Sequence, residues 1–481
     1  MDFGPTTANE RPNRSNGTLA ACERRLVSYI AMNLLRTGRP IARQIAVVTL
    51  IIGCVTISDV HAAALSLREA VRYALDSNPE IRAAEANRRA VEAELRQAWS
   101  RRLPQVDLDA DIGGEKIDRP RGFAANVNDV WRTRRQVALS VRQVIFDGWE
   151  ISNSIYRSKA RVDGAALRQL SRSEVLVLGA IEAFIDVHRQ RLVLRVARRN
   201  VSRHRRYLRR VRAKRAGGRT GIGEVQQVRE RLTAAQSAVL RIRQSLADAI
   251  SKFNRIVGKR PGHLLRPSPP KSLPRTQHSA VRLGIGNNPA IGAAEADIQA
   301  ARFATAASRG SYFPKVSTEL RGAYGHDLAG TPGRNKELSG KVVLNWNLFS
   351  GGRRRARIDE LAERTAQAIA IRDAKIREVT EQIERAFTAS RIGRLSVQTA
   401  RQRAATAARV VRTYDEEFKL AKRGLLDLLD SENARFSADI QLINVRSLYL
   451  FATYRILGAT GTLLEHFGAK TWNATVTRHY R

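Results

Sequence analysis

Asp427 and Asp430, in the run Arg423-Gly424-Leu425-Leu426-Asp427-Leu428-Leu429-Asp430, are the residues of this chain whose spacing points most directly to chemistry. Positions three apart share one face of a helix, so the pair would present two negative charges together. Near a helix start the backbone dipole favours acids by ~0.3–1 kcal/mol, so capping alone would account for them. The opposite charge gathers at Arg203–Arg219, where nine of 17 residues are Arg or Lys and none is acidic. A solvated helix face is the default for such a run. An electrostatic dock through Arg205, Arg206, Arg209, Arg210 and Arg212 is the more specific alternative.

Catalytic and metal chemistry find no support. The eight histidines are scattered, with no His-x-x-x-His or Cys-His pairing, so a metal site is not expected. Cys22 and Cys54 are the only cysteines, and both precede Leu65. The body of the protein therefore has no thiol, disulfide or Cys-based metal site. Gly221-Ile222-Gly223 and Gly284-Ile285-Gly286 do not extend to a GxGxxG turn, and no Gly-x-Ser-x-Gly or Walker motif occurs. The expectation is a protein that is not an enzyme, carries no cofactor and draws energy from a partner.

The charged runs must be positioned by long helices. No proline falls between Pro120 and Pro261 or after Pro332, which leaves uninterrupted stretches suited to extended helix. Val225, Val228, Leu232, Ala235, Val239, Ile242, Leu246, Ala249, Phe253 and Ile256 keep a 3-4 spacing, the pattern of a coiled-coil seam. Leu429, Phe436, Ile443, Leu450 and Leu457 recur every seven residues, as do Ile369, Ile376 and Ile383. Glycines at 217, 218, 221 and 223, and again at Gly424, predict turns that fold each stretch into a helical hairpin. A helix over Glu150–Arg215 would span about 100 Å at 1.5 Å per residue.

These hairpins occur twice because the chain is a duplication. Asn78–Val106 returns 210 residues later as Asn288–Val316, and between Val71 and Val106 twelve of 36 positions are identical at that offset. Asn78-Pro79 matches Asn288-Pro289, Ala83–Ala86 matches Ala293–Ala296, and Pro104 matches Pro314. Each copy continues into alternating segments and an apolar run ending Phe-x-Gly, at Phe146–Gly148 and Phe349–Gly351. The repeated order is helix, strand, strand, helical hairpin. Ser66–Glu69 has the form of a capping box, and Asn-Pro should interrupt the helix that starts there.

From Gln105 the period changes to two. Val106, Leu108, Ala110 and Ile112 alternate with Asp107, Asp109 and Asp111, and Val137, Leu139 and Val141 alternate with Ala138, Ser140 and Arg142. The second copy offers Val316, Thr318, Leu320 and Tyr324, then Val342, Leu344, Trp346 and Leu348. These predict four half-apolar strands. No run of 18 apolar residues follows the leader, so any membrane crossing must use strands. Four strands cannot close a barrel, and an open edge leaves backbone groups unpaired in hydrocarbon. Closure would take several chains: two give eight strands filled by side chains, three give twelve with room for a pore. Tyr324 and Trp346 could belong to an aromatic girdle.

The chain carries a formal charge of +39. Arginine outnumbers lysine 71 to 13 and is spread along the helices, as solvated faces in an Arg-biased proteome would show, and no nucleic-acid motif accompanies it. No nucleic-acid partner is expected. Arg36, Arg39 and Arg43, the apolar Ile45–Ile57 and Ala62–Ala64 have the parts of a secretory signal, with Met32 a natural start. Cys54 offers a rival lipoprotein cleavage site. The expected organisation is a signal region over 1–64, repeats at 65–258 and 279–465 joined by a linker at 259–278 with five prolines, and a tail at 466–481.

The paired repeat with its Asn-Pro and Leu/Phe-Pro, the Phe-x-Gly strand ends and the Arg423–Asp430 element together resemble the TolC family of outer-membrane efflux and type I secretion channels, over about Leu65 to Gly461. The resemblance implies a mostly α protein with a transmembrane β-barrel: a homotrimer closing a twelve-stranded barrel among outer-membrane lipids, continued by a coiled-coil helical barrel through the periplasm. It implies a periplasmic adaptor (membrane fusion) protein and an inner-membrane ABC or proton-driven transporter as partners. By the same resemblance Asp427 and Asp430 line the periplasmic constriction, while Arg423, Phe418 and Glu224 form its latch, Glu224 pairing across helices. Phe418 stands where a Tyr is more usual in the family. In a trimer the two aspartates would make six converging carboxylates, which repel one another and select for cations. The competing classes are a periplasmic adaptor-like protein and a basic coiled-coil scaffold.

Overall fold

The computed structural model describes residues 64–118 and 129–469. The leader expected over 1–64 (Ala64 excepted), Cys22 and Cys54, part of the 113–130 loop and the tail from residue 470 lie outside the described residues.

The first copy runs α1 (Leu67–Ser77), α2 (Pro79–Ser100), β1 (Gln105–Lys116), β2 (Trp131–Phe146), α3 (Glu150–Ala216) and α4 (Ile222–Val257). The second repeats it as α5 (Gln277–Asn287), α6 (Pro289–Arg309), β3 (Lys315–His326), β4 (Arg334–Asn345), α7 (Arg353–Lys419) and α8 (Leu425–Thr460), with a short α9 (Leu463–Phe467) after it. α3 and α7 are each 67 residues long, α4 and α8 each 36. The copies are offset by 210 residues through β1 and β3 and by 203 after them, because the β1–β2 connection is seven residues longer than the β3–β4 one. No described helix is long and apolar enough to cross a membrane.

Local chemistry explains the breaks. Ser66 and Glu69 make both bonds of the capping box that starts α1. Asn78 ends α1 and caps α2, accepting from the Glu80 amide at 2.9 Å, while its Nδ2 donates to the Ile256 carbonyl at 3.0 Å. Asn288 repeats both bonds, to the Ala290 amide at 2.9 Å and the Ala459 carbonyl at 2.9 Å. One asparagine thus satisfies an unpaired amide at a helix start and a carbonyl near the end of the returning hairpin helix. Proline at the first helical position needs no amide partner.

The hairpin seams are buried as their spacing requires. Val225, Val228, Ala235, Val239, Ala249, Phe253 and Ile256 are buried along α4, with Leu232, Ile242 and Leu246 partly so. Phe253 meets Phe184 of α3 at a ring distance of 6.4 Å, beside Ala180, Ala183 and Val187. In the second copy Ile383 packs with Ala280, Ile291, Val379 and Ala459.

The strands form one antiparallel sheet in the order β1-β2-β3-β4. Register pairs Leu108 with Leu139, Val141 with Leu320, Val137 with Tyr324 and Val316 with Leu344. Apolar side chains therefore share one face. They are exposed there: Leu108 69%, Leu320 58%, Val342 70%. The other face carries charge, with Glu319 between Arg142 at 2.8 Å and Lys341 at 3.3 Å. Trp346 and Leu348, expected on the fourth strand, lie beyond its end at Asn345. The ladder stops there because Asn345 pairs with Lys315, and the residue before that is Pro314, which has no amide to donate. At the junction with the helices Phe146, Trp149 and Phe313 meet edge to face at 5.3–6.4 Å, and the Trp346 indole donates to the Tyr312 carbonyl at 3.2 Å. The Phe-x-Gly turn has a steric cause: Gly148 has φ +69°, and a Cβ there would lie 2.6 Å from the Gly310 carbonyl oxygen.

Glu174 of α3 is buried, and one of its oxygens accepts from the Leu464 amide at 3.3 Å. Burial pushes its carboxyl up to about 7, against the opposing effect of the amides. A folded pKa above the unfolded one gives stability that is complete below about 4.5 and is lost as pH rises through 7. Glu174→Gln should remove ~3 kcal/mol of this pH dependence; thermal melts at pH 5 and pH 8 should differ less in the variant than in the wild type.

Candidate functional site

Both hairpins turn at the end of the helices farthest from the sheet, and their tips pack together. The turn after α3 passes through Gly218 at φ +67°, and the turn after α7 through Ala421 at φ +60°. Tyr207, Leu208 and Val211 of α3, Val225 and Val228 of α4, Phe418 of α7, and Leu425, Leu428 and Leu429 of α8 form one buried cluster. Phe418, only 4% exposed, is the wedge of α7 between the hairpins. Lys214 of α3 sits 3.9 Å above its ring and donates to its carbonyl at 3.2 Å. The ring is thus held by apolar contact and by a cation over its face.

Asp427 and Asp430 project from the first two turns of α8 and are about half exposed, 53% and 59%. Each has an arginine beside it. Arg423 is 3.7 Å from Asp427, and Arg231 of α4 is 3.2 Å from Asp430, an ion pair that crosses from one hairpin to the other. Arg423 also donates to Glu417 at 2.9 Å and lies 4.2 Å over the Tyr414 ring. It therefore joins the end of α7 to the start of α8.

Glu224 occupies the place in α4 that Asp427 occupies in α8, the third residue of the helix. The expectation that it pairs across helices differs from what the single chain shows. Its carboxylate accepts from the Thr220 hydroxyl in its own turn, and among the described residues it reaches no other helix. Thr220, four residues earlier, stands in the turn that leads into α4 and meets the carboxylate there. Of the basic run, Arg205, Arg206, Arg209 and Arg212 are exposed, while Arg210 is held by Asp415 at 2.6 Å.

The residues that sequence reasoning missed are buried beside this cluster. Glu432 is 1% exposed; it accepts from the Tyr207 hydroxyl at 2.8 Å and lies 3.0 Å from the Arg203 guanidinium. Burial and the Glu432 charge push the Tyr207 hydroxyl far above its ordinary range, so it stays a donor. Burial, then Arg203 and Arg231, push the neighbouring His204 down to about 4, so it is neutral at physiological pH. A signal was present: Glu432 falls between Leu429 and Phe436 at seam spacing, where an apolar residue belongs. Tyr207→Phe should cost ~1–3 kcal/mol by leaving the carboxylate one donor short. Glu432→Ala should cost more, ~3–5 kcal/mol, because Arg203 is left buried without its anion. Urea midpoints of the two variants check that order.

Among the described residues no group of three or more His, Cys, Asp or Glu is placed to hold a metal ion.

Comparison with known proteins is consistent across sequence and structure. The sequence model for the family described as outer membrane efflux protein matches residues 70–259 and 281–462. The outer membrane efflux protein BepC of Brucella suis is 25% identical over 426 residues, covering 87% of this chain and 91% of that protein. The alkaline protease secretion protein AprF of Pseudomonas aeruginosa is 23% identical over 427 residues, covering 84% of this chain and 85% of its own. The Campylobacter jejuni CmeC outer membrane channel has the same fold, with a TM-score of 0.73 at 14% identity, over 86% of this chain and 88% of that one.

Proposed function

The chain belongs to the outer membrane efflux protein family, and from that membership we propose that three copies form the exit duct of an efflux or type I secretion system, shut at its periplasmic end by the hairpin tips. It is an outer-membrane channel that extends into the periplasm, not an enzyme. Channels of this family are trimeric and work with periplasmic adaptors and inner-membrane transporters.

The observation that carries the proposal is a single sheet with an apolar face and two open edges, β1 and β4, at one end of helices about 100 Å long. In hydrocarbon those edges must pair. Three copies give twelve strands around a wet lumen, with the Asp107, Asp109 and Asp111 face inward and the Leu108, Leu320 and Val342 face toward lipid. The aromatic cluster of Phe146, Trp149 and Phe313 then lies at the inner membrane–water boundary of the barrel, where such side chains anchor. A periplasmic adaptor or a basic scaffold has no need of such a sheet.

At the other end Asp427 and Asp430 line the narrowest point. Arg423 and Phe418 act as the latch, Arg423 through Glu417 and Tyr414 and Phe418 through the cluster it wedges. Glu224 braces the first turn through Thr220. Arg205, Arg206, Arg209 and Arg212 face an acidic adaptor surface, with Arg210 sharing its charge with Asp415.

Detergent-purified protein should have the mass of three chains, and a stable folded monomer would contradict the proposal. Arg423→Ser should raise single-channel conductance in planar bilayers several-fold, because it frees the start of α8 from Glu417 and Tyr414. An unchanged conductance would remove Arg423 from the latch.

A further inference from the structure

The charge at the tips is lopsided. Over Arg203–Arg231 the first hairpin carries eleven Arg and Lys against two acids, whereas over Arg409–Arg435 the second carries six of each. The surplus of nine positive charges per chain therefore comes from the first hairpin alone. Acids of the second hairpin are engaged: Asp415 with Arg210, Glu417 with Arg423, Asp430 with Arg231 and Glu432 with Arg203. Arg205, Arg206, Arg209, Arg212, Arg215 and Arg219 are exposed. None of the six has an acidic partner among the described residues.

Their direction is fixed by the core. Leu208, Val211 and Tyr207 turn one side of α3 into the buried cluster, so Arg205, Arg209 and Arg212, at i, i+4 and i+7, form a stripe on the opposite side. The same stripe begins higher on α3 with Arg191, Arg195, Arg198 and Arg199, which line a groove with Leu194 and Ser202. Successive stripe residues rise by about 5 Å per turn, well inside the Debye length of about 10 Å at 0.1 M salt, so their potentials add. Against this stand two half-exposed aspartates, each already beside an arginine.

We propose that the periplasmic mouth collects anions: the unpaired arginines of the first hairpin, not Asp427 and Asp430, set the sign of the field an entering solute meets. The cargo class favoured is then anionic, bearing carboxylate or phosphate. This rests on the reading of the tips as the periplasmic end of a trimeric channel. Adaptor docking and ion selection draw on the same charges, and a channel measured alone reads only the second.

Reversal potentials of the wild-type protein in planar bilayers under a KCl gradient test it. Chloride should permeate more readily than potassium at 0.1 M, and the ratio should fall toward one at 1 M, where the Debye length is about 3 Å. The variant R205E/R206E/R209E/R212E should invert the preference, the matching Arg→Lys variant should retain it, and D427N/D430N should strengthen it. A wild-type channel that conducts but prefers potassium overturns the inference alone, and so does a conducting Glu variant with an unchanged ratio. The salt series on the wild type needs no substitution, so misfolding of a variant does not shield the inference. A wild-type protein that never conducts overturns the channel reading and the inference with it.

Discussion

Burial of one narrow apolar stripe along two very long hairpins is the interaction on which the rest depends. A 67-residue helix has no globular core around it, and helices gain most of their stability from tertiary packing rather than propensity. Here each turn contributes one or two seam residues, such as Val228, Ala235 or Phe253, whose burial is worth about 25 cal/mol per Å² of apolar surface. Small residues at Ala180 and Ala183 let α1 and α4 approach α3 closely, and Phe184 and Phe253 fill the space between. Only because the seam holds can a charged tip be placed about 100 Å from an apolar sheet.

The same seam makes its polar interruptions consequential. Glu432 in an apolar position would be prohibitive without partners, and Tyr207 and Arg203 supply them from a helix 225 to 229 residues earlier in the chain. Such a buried pair adds little net stability over an apolar substitute, but breaking one side of it is costly. It therefore specifies which helix lies beside α8. With Phe418 and the Asp430–Arg231 pair, it ties the two hairpins of one chain together near the tip.

Duplication gave the two hairpins the same skeleton and different charge. Glu224 and Asp427 stand at matching positions, as do Ile256 and Ala459, yet Glu224 serves its own turn while Asp427 stands beside Arg423. The first hairpin kept arginines on its solvent face and the second balanced acids with bases. The backbone at the end of the tunnel is thus nearly symmetric between the copies while its electrostatics are not.

Much of the architecture was determined by sequence because it rests on local or periodic signals. The capping box at Ser66, the Asn-Pro breaks, the turns at Gly217–Gly221 and Gly424, the α4 seam and the alternation of β1 each depend on a few adjacent residues or one fixed spacing. The long helix expected over Glu150–Arg215 forms over Glu150–Ala216. What only the tertiary structure decided depends on which distant segments become neighbours. The Asn78 bond to Ile256, the Tyr414 ring under Arg423 and the Arg231 partner of Asp430 require the hairpins to be folded and set side by side. Glu224 could not be assigned from its position in the helix, since its choice between Thr220 and another helix is set by turn geometry. Trp346 and Leu348 kept the strand period but lost the strand, because a ladder ends where its partner ends, at Lys315 after Pro314. Periodicity fixes which face a residue shares; only the packed chain fixes what that face meets.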